Sequence, residues 1–175
     1  MGQPEKATNG ERVTLEEALN KYETALEVLA ERQKNEATNY ESEVGRLRDE
    51  LFQAISQATN VVNQKKPERL VATINGSDIE LIYRGRSVTI TMRVDKVVVM
   101  YSNNKSHPHR PSDWQLRINK PEDGTGKPCE LFVVFPNAKQ PATSRPLVGS
   151  TVDSDRLHLF LAGLLIPPLE PEILF

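Results

Sequence analysis

The residues best suited to chemistry are few and poorly spaced for it. His107 and His109 flank a proline, and Cys129 and His158 follow further along the chain. Imidazole and thiolate are common ligands for a transition metal. Here, however, the two nearest donors share one polar loop and have neither helical nor paired spacing, so they are weak metal ligands and no metal or other cofactor is expected. Asp123-Gly124-Thr125-Gly126-Lys127 has the look of a phosphate loop. The spacing to an earlier glycine is wrong, and Pro128 stands where a Ser or Thr would hold magnesium. A hairpin turn is the simpler reading. Ser150 follows Gly149 without the strand-turn-helix context of a nucleophile elbow. Asp78 and Glu80 fall at a turn and on an outward strand face, and Trp114 suits a core anchor. No residue is assigned a catalytic role, and the pattern points away from an enzyme.

Six basic residues form a second candidate. In an up-and-down meander, alternate turns share one end of the sheet. Arg84, Arg86, Lys105, Arg110, Lys139 and Arg145 would then gather at one pole, opposed only by Asp113. Such a cluster could receive phosphates by releasing their counterions. The arrangement depends on Asp95-Lys96 being a two-residue hairpin turn, which would pair Val94 with Val97, Met92 with Val99 and Ile90 with Tyr101. A net charge of −2 gives nucleic-acid binding no general support. No aromatic residues interleave with the charges, so a base-stacking platform is not indicated.

These loops must be carried by something, and the sequence supplies two kinds of scaffold. The first is a ladder of apolar residues: Leu15, Leu19, Tyr22, Leu26, Leu29, Ala37, Tyr40, Val44, Leu47, Leu51, Ile55, Ala58 and Val62. Steps of three and four place them on one stripe of a helix. Thr14-Leu15-Glu16-Glu17 fits a capping box at its start, and Pro67 stops it after Lys65 and Lys66. Between Leu29 and Ala37 the ladder passes through polar Gln33 in two steps of four. Either one long helix carries a stutter there, or the chain turns near Lys34-Asn35-Glu36 and forms a helical hairpin. A second possible capping box, Thr38-Asn39-Tyr40-Glu41, favours the turn. Gly45 costs about 1 kcal/mol relative to Ala in a helix interior, unless two backbones approach there. Such a stripe must find a partner, so Leu15, Leu19, Tyr22, Leu26, Leu29, Tyr40, Val44, Leu47, Leu51 and Ile55 are read as an association seam.

The second scaffold begins after Pro67, where the period changes to two. Alternating runs follow at 70–74, 79–83 and 88–94, with Asn75-Gly76 and Arg84-Gly85-Arg86 as turns. Val97–Tyr101, Trp114–Ile118 and Leu131–Phe135 add further strands. Asp153 or Ser154 could cap a short helix ending before Pro167-Pro168, although the alternation of Leu157, Leu159 and Leu161 also allows a strand. The final Ile173-Leu174-Phe175 would be wasteful in water. It docks either on its own sheet or on a partner, where an extended apolar peptide can add to a sheet edge.

Length and composition bound what remains. The chain has 175 residues, 38% of them hydrophobic and 26% charged. One cysteine excludes an internal disulfide, no apolar run approaches the ~20 residues that span a bilayer, and no signal peptide is visible. Residues 1–12 read as a disordered tail, 13–66 as the helical arm and 68–175 as the sheet domain. The expected class is α+β: a long N-terminal helix or helical hairpin, an antiparallel β-meander of five to six strands, and a short C-terminal helix. The expected role is a cytoplasmic, non-enzymatic assembly or adaptor protein. It would form a homo-oligomer or bind a protein partner through the arm, with anion or nucleic-acid binding at the basic pole as the alternative.

Overall fold

In a computed structural model, the described residues are 14–102, 110–111, 113–122, 125–134 and 145–166. The chain divides into two compact units, Met1–Asn39 and Tyr40–Phe175. One helix, α1 (Leu15–Lys65), runs through both.

The capping box at the start of α1 closes in both directions. The Thr14 N–H donates to Glu17 Oε2 at 3.0 Å, and the Glu17 N–H donates to Thr14 Oγ1 at 3.3 Å. Two of the donors at this helix end, which have no intrahelical partner, are thereby satisfied. The hairpin alternative does not occur. Thr38 is helical, and its hydroxyl donates to the Lys34 carbonyl at 3.0 Å rather than capping a new helix. Gly45 sits mid-helix with no backbone near it; an added Cβ would meet only Arg48, at 3.9 Å. The helix stops at Lys65. The Asn63 side-chain amide then fastens the exit, donating to the Leu70 carbonyl at 2.7 Å and accepting from its N–H at 3.0 Å.

In the second unit the strands run β1 (Val71–Asn75), β2 (Asp78–Tyr83), β3 (Arg86–Met92), β4 (Val97–Ser102), β5 (Arg110–Pro111), β6 (Gln115–Asn119) and β7 (Glu130–Val134). The first five form an antiparallel sheet in chain order, four full strands and a two-residue edge piece, while β6 and β7 pair separately. The expected single meander is therefore split in two. Pro111 tolerates its place because an edge residue need not donate to the ladder. The β2–β3 turn uses Arg84 and Gly85, both with positive φ (48° and 79°), as the twist of a two-residue hairpin demands.

The β3–β4 turn differs from the expected one by two residues in register. Met92 pairs with Val97, Ile90 with Val99 and Val88 with Tyr101. Arg93 and Lys96 exchange backbone hydrogen bonds at 2.8 and 3.2 Å, leaving Val94 and Asp95 at the tip. Neither Val94 nor Asp95 has positive φ, so this tip lacks the backbone seen at Arg84 and Gly85. Because side chains alternate with a period of two, this slip keeps every apolar residue on its intended face.

The core gathers one face of each element. Leu47, Leu51, Phe52 and Ile55 of α1 meet Ile79, Leu81, Val88, Ile90 and Met92 of the sheet, together with Leu116, Leu131 and Val133 of the β6–β7 pair. The last element, α2 (Ser154–Leu165), is a helix and not a strand. Asp153 caps it by accepting from the Arg156 N–H at 3.1 Å, and it buries Leu157, Phe160, Leu161, Leu164 and Leu165. Leu159 falls on the outer side of this helix and is 55% exposed. Among the described residues no helix is long and apolar enough to cross a membrane.

Candidate functional site

The apolar ladder of α1 has two fates. Val44, Leu47, Leu51 and Ile55 are buried, and Tyr40 packs half-buried beside that core. These five residues of the expected seam thus belong to the second unit's own interior. Leu15, Leu19, Tyr22, Leu26 and Leu29, all in the first unit, are exposed, between 47% and 77%. Their steps of 4, 3, 4 and 3 are the alternation of a and d positions in a heptad. The neighbouring e and g positions hold Glu16, Glu23 and Ala30 on one side and Ala18, Ala25 and Arg32 on the other. Small side chains beside the seam leave room for a second helix to approach.

A dense polar cluster lies where the ladder turns from exposed to buried. Glu43, Arg46 and Glu50 occupy successive turns of α1 and flank the buried Val44 and Leu47. Arg46 commits all five of its N–H donors. Nε donates to Glu43 Oε1 at 3.3 Å; Nη1 donates to Glu50 Oε1 and the Gly149 carbonyl, at 3.1 and 2.9 Å; Nη2 donates to Glu43 Oε2 and the Cys129 carbonyl, at 3.1 and 2.9 Å. Glu43 Oε2 also accepts the Cys129 N–H at 2.9 Å. The helix is so clamped to two distant loops. Hydrogen bonds from Arg46 hold the Glu43 carboxyl below its ordinary range, and the Glu43 partner raises the Arg46 guanidinium further. Burial pushes the Cys129 thiol up, with the Glu43 charge adding to it. Burial likewise raises the Tyr40 phenol, whose ring lies under the Lys120 ammonium at 5.6 Å. A thiol held protonated is a poor nucleophile and a poor metal ligand. The cluster is built as a clamp. Its signal in the sequence was a Glu-x-x-Arg-x-x-x-Glu run bracketing the buried stripe, easily mistaken for a solvated helix face.

Arg84 is exposed at the β2–β3 turn and Arg86 half-buried beside it. The backbone of Arg110 pairs with Tyr101, near the same end of the sheet. Arg145 is exposed and shares a shallow cleft with Asp153, Asp155 and Arg156, so its charge is locally opposed. Lys105, Lys139, His107, His109, Ile173, Leu174 and Phe175 lie outside the described residues. Asp78 faces Arg93 at 3.6 Å, and Glu80 accepts from the Ser87 hydroxyl at 2.6 Å. Ser150 is exposed, and Trp114 packs edge-on to Phe160 with ring centroids 6.3 Å apart. Among the described residues, no three His, Cys, Asp or Glu side chains gather where they could hold a metal ion.

One apolar groove, of about 310 Å³, opens in the second unit between the end of α1 and α2. Leu70, Tyr83, Leu161 and Leu165 line it, with Arg69 and His158 at its polar margin. Comparison of the chain with family models, with curated proteins and with solved structures finds no match.

Proposed function

We propose that this protein is a cytoplasmic, non-enzymatic assembly protein that associates with a second copy of itself through the first half of α1. The observation that carries the reading is the exposed quintet Leu15, Leu19, Tyr22, Leu26 and Leu29, spaced as heptad a and d positions. A lone amphipathic helix has no interior of its own, and burying a Leu side chain contributes about 1.5–3 kcal/mol. Two copies laid side by side would cover the quintet in a seam of two heptads.

Charge supports a parallel arrangement. There, g residues of one helix lie beside e residues of the other, so Glu23 would meet Ala18 of its partner. In an antiparallel pair e lies beside e, and with the two quintets fully overlapped Glu23 would face Glu23. The seam residues that are buried in the second unit take no part; they hold its core, and the sheet is left free to recognise whatever the assembly gathers.

The test is molar mass by light scattering on the intact chain and on the double variant Leu19→Glu, Leu26→Glu. An intact oligomer that becomes monomeric with unchanged Trp114 emission, a signal of the second unit, supports the reading. An intact chain that is monomeric at about 100 μM, or an oligomer indifferent to both substitutions, defeats it. Removing residues 1–67 would be a poor test, because Leu47, Leu51, Phe52 and Ile55 would leave with them.

A further inference from the structure

The groove between the end of α1 and α2 is lined by side chains that would gain from being covered. Val61 and Ile166 at its margin are 59% and 50% exposed, and its floor is apolar. Arg69 and His158 line it, and exposed Lys65, Lys66 and Glu68 stand just before Arg69 in the chain, two cations against one carboxylate. The described chain reaches this same margin at Ile166, whose N–H closes α2 on the Ala162 carbonyl and whose own backbone is extended (φ −97°, ψ 120°).

Nine residues follow, Pro-Pro-Leu-Glu-Pro-Glu-Ile-Leu-Phe. Their prolines oppose continuation of the helix. Nine residues reach at most about 30 Å when extended, against about 18 Å for the whole of α2, so any part of the groove is within range. Leu169, Ile173, Leu174 and Phe175 supply apolar side chains, and Glu170 and Glu172 supply charge opposite to that of Arg69. Tethering also favours this occupant over a free one. A segment attached at the margin acts at an effective concentration on the order of millimolar.

We propose that the groove is the seat of the chain's own C-terminal segment, residues 169–175, with Ile173, Leu174 and Phe175 covering the apolar floor and Glu170 and Glu172 facing Arg69 and His158. The groove is thus an acidic-apolar peptide site whose resident ligand is carried in the same chain. It uses no residue of the α1 quintet, so it stands or falls separately from self-association.

The experiment uses a fluorescently labelled peptide of residues 167–175, the intact chain and a chain ending at Ile166. The peptide is expected to bind the shortened chain saturably, at least tenfold more weakly to the intact chain, and at least tenfold more weakly to a shortened chain carrying Ala58→Trp, which fills the groove. Raising salt to 1 M should weaken binding several-fold. No binding to a folded shortened chain overturns the proposal. So does equal binding to shortened and intact chains, which would leave the groove open to a separate partner. Peptide that dissociates an intact oligomer would show a second copy seated there instead, and overturns it as well. Should the shortened chain not fold, the full-length variant Leu174→Asp, Phe175→Asp replaces it, read with an environment-sensitive apolar dye. Dye binding several-fold above the parent is expected, and an unchanged level overturns the proposal.

Discussion

Glu43 Oε2 accepts the backbone N–H of Cys129 at 2.9 Å, joining residues 86 apart in the sequence. The same oxygen takes Nη2 of Arg46, which in turn donates to the Cys129 carbonyl. One residue of the loop before β7 is thus held at both its backbone N–H and its carbonyl by a single turn of α1.

Loss of the carboxylate should loosen this clamp. Glu43→Ala leaves Arg46 short of two acceptor contacts and the Cys129 N–H without its acceptor, and a net destabilisation of about 1–3 kcal/mol is expected in urea unfolding. The effect depends on pH in a defined direction. The native Glu43 carboxyl titrates below its ordinary value of 4.5. Its contribution is therefore full above that value and lost as pH falls through the lowered one. Parent and variant should converge in stability in strong acid; a difference that persists at pH 2 would show that packing, and not the charge, carries it.

The opposite limb of the pH profile belongs to Cys129 and Tyr40. Both have raised values in the folded protein, above the ordinary 9.0 and 10.0. Stability they contribute is complete below those ordinary values and declines as pH rises through the higher folded ones. Unfolding should become easier above about pH 9, and less so in Cys129→Val. A disulfide reagent at pH 8 should label Cys129, which is 4% exposed, far more slowly in the native chain than in urea. Rapid native labelling would contradict its placement.

Two glycines in helices should respond oppositely to the same substitution. At Gly45 an added Cβ would meet only Arg48 Nη2 at 3.9 Å, so Gly45→Ala should stabilise by about 1 kcal/mol. At Gly163 the Cβ would fall within the indole ring of Trp114. Gly163→Ala should therefore destabilise by about 1–3 kcal/mol and shift the tryptophan emission, since Trp114 is the chain's single Trp. Equal effects at the two sites, measured by denaturant midpoint, would refute this reading of the α2 surface.

Local chemistry determined much of this protein from sequence alone. Thr14 and Glu17 name the start of α1 because a capping box satisfies its own donors. Gly76 and Gly85 mark hairpin turns because they enter positive φ cheaply. The alternation of β2 and β3 names their core faces because a pleated strand has no other period. Contacts distant in sequence decided the rest. Whether α1 would turn at Lys34 was balanced locally, and the structure has one continuous helix there. The β3–β4 register was ambiguous because a slip of two residues preserves both faces. The clamp is not legible in the sequence because the groups completing it are backbone carbonyls of Cys129 and Gly149, which every residue type carries. Which half of the ladder is core and which half is exposed is likewise a tertiary fact, since the spacing of Leu15–Leu29 and Val44–Ile55 is nearly the same and only packing tells them apart.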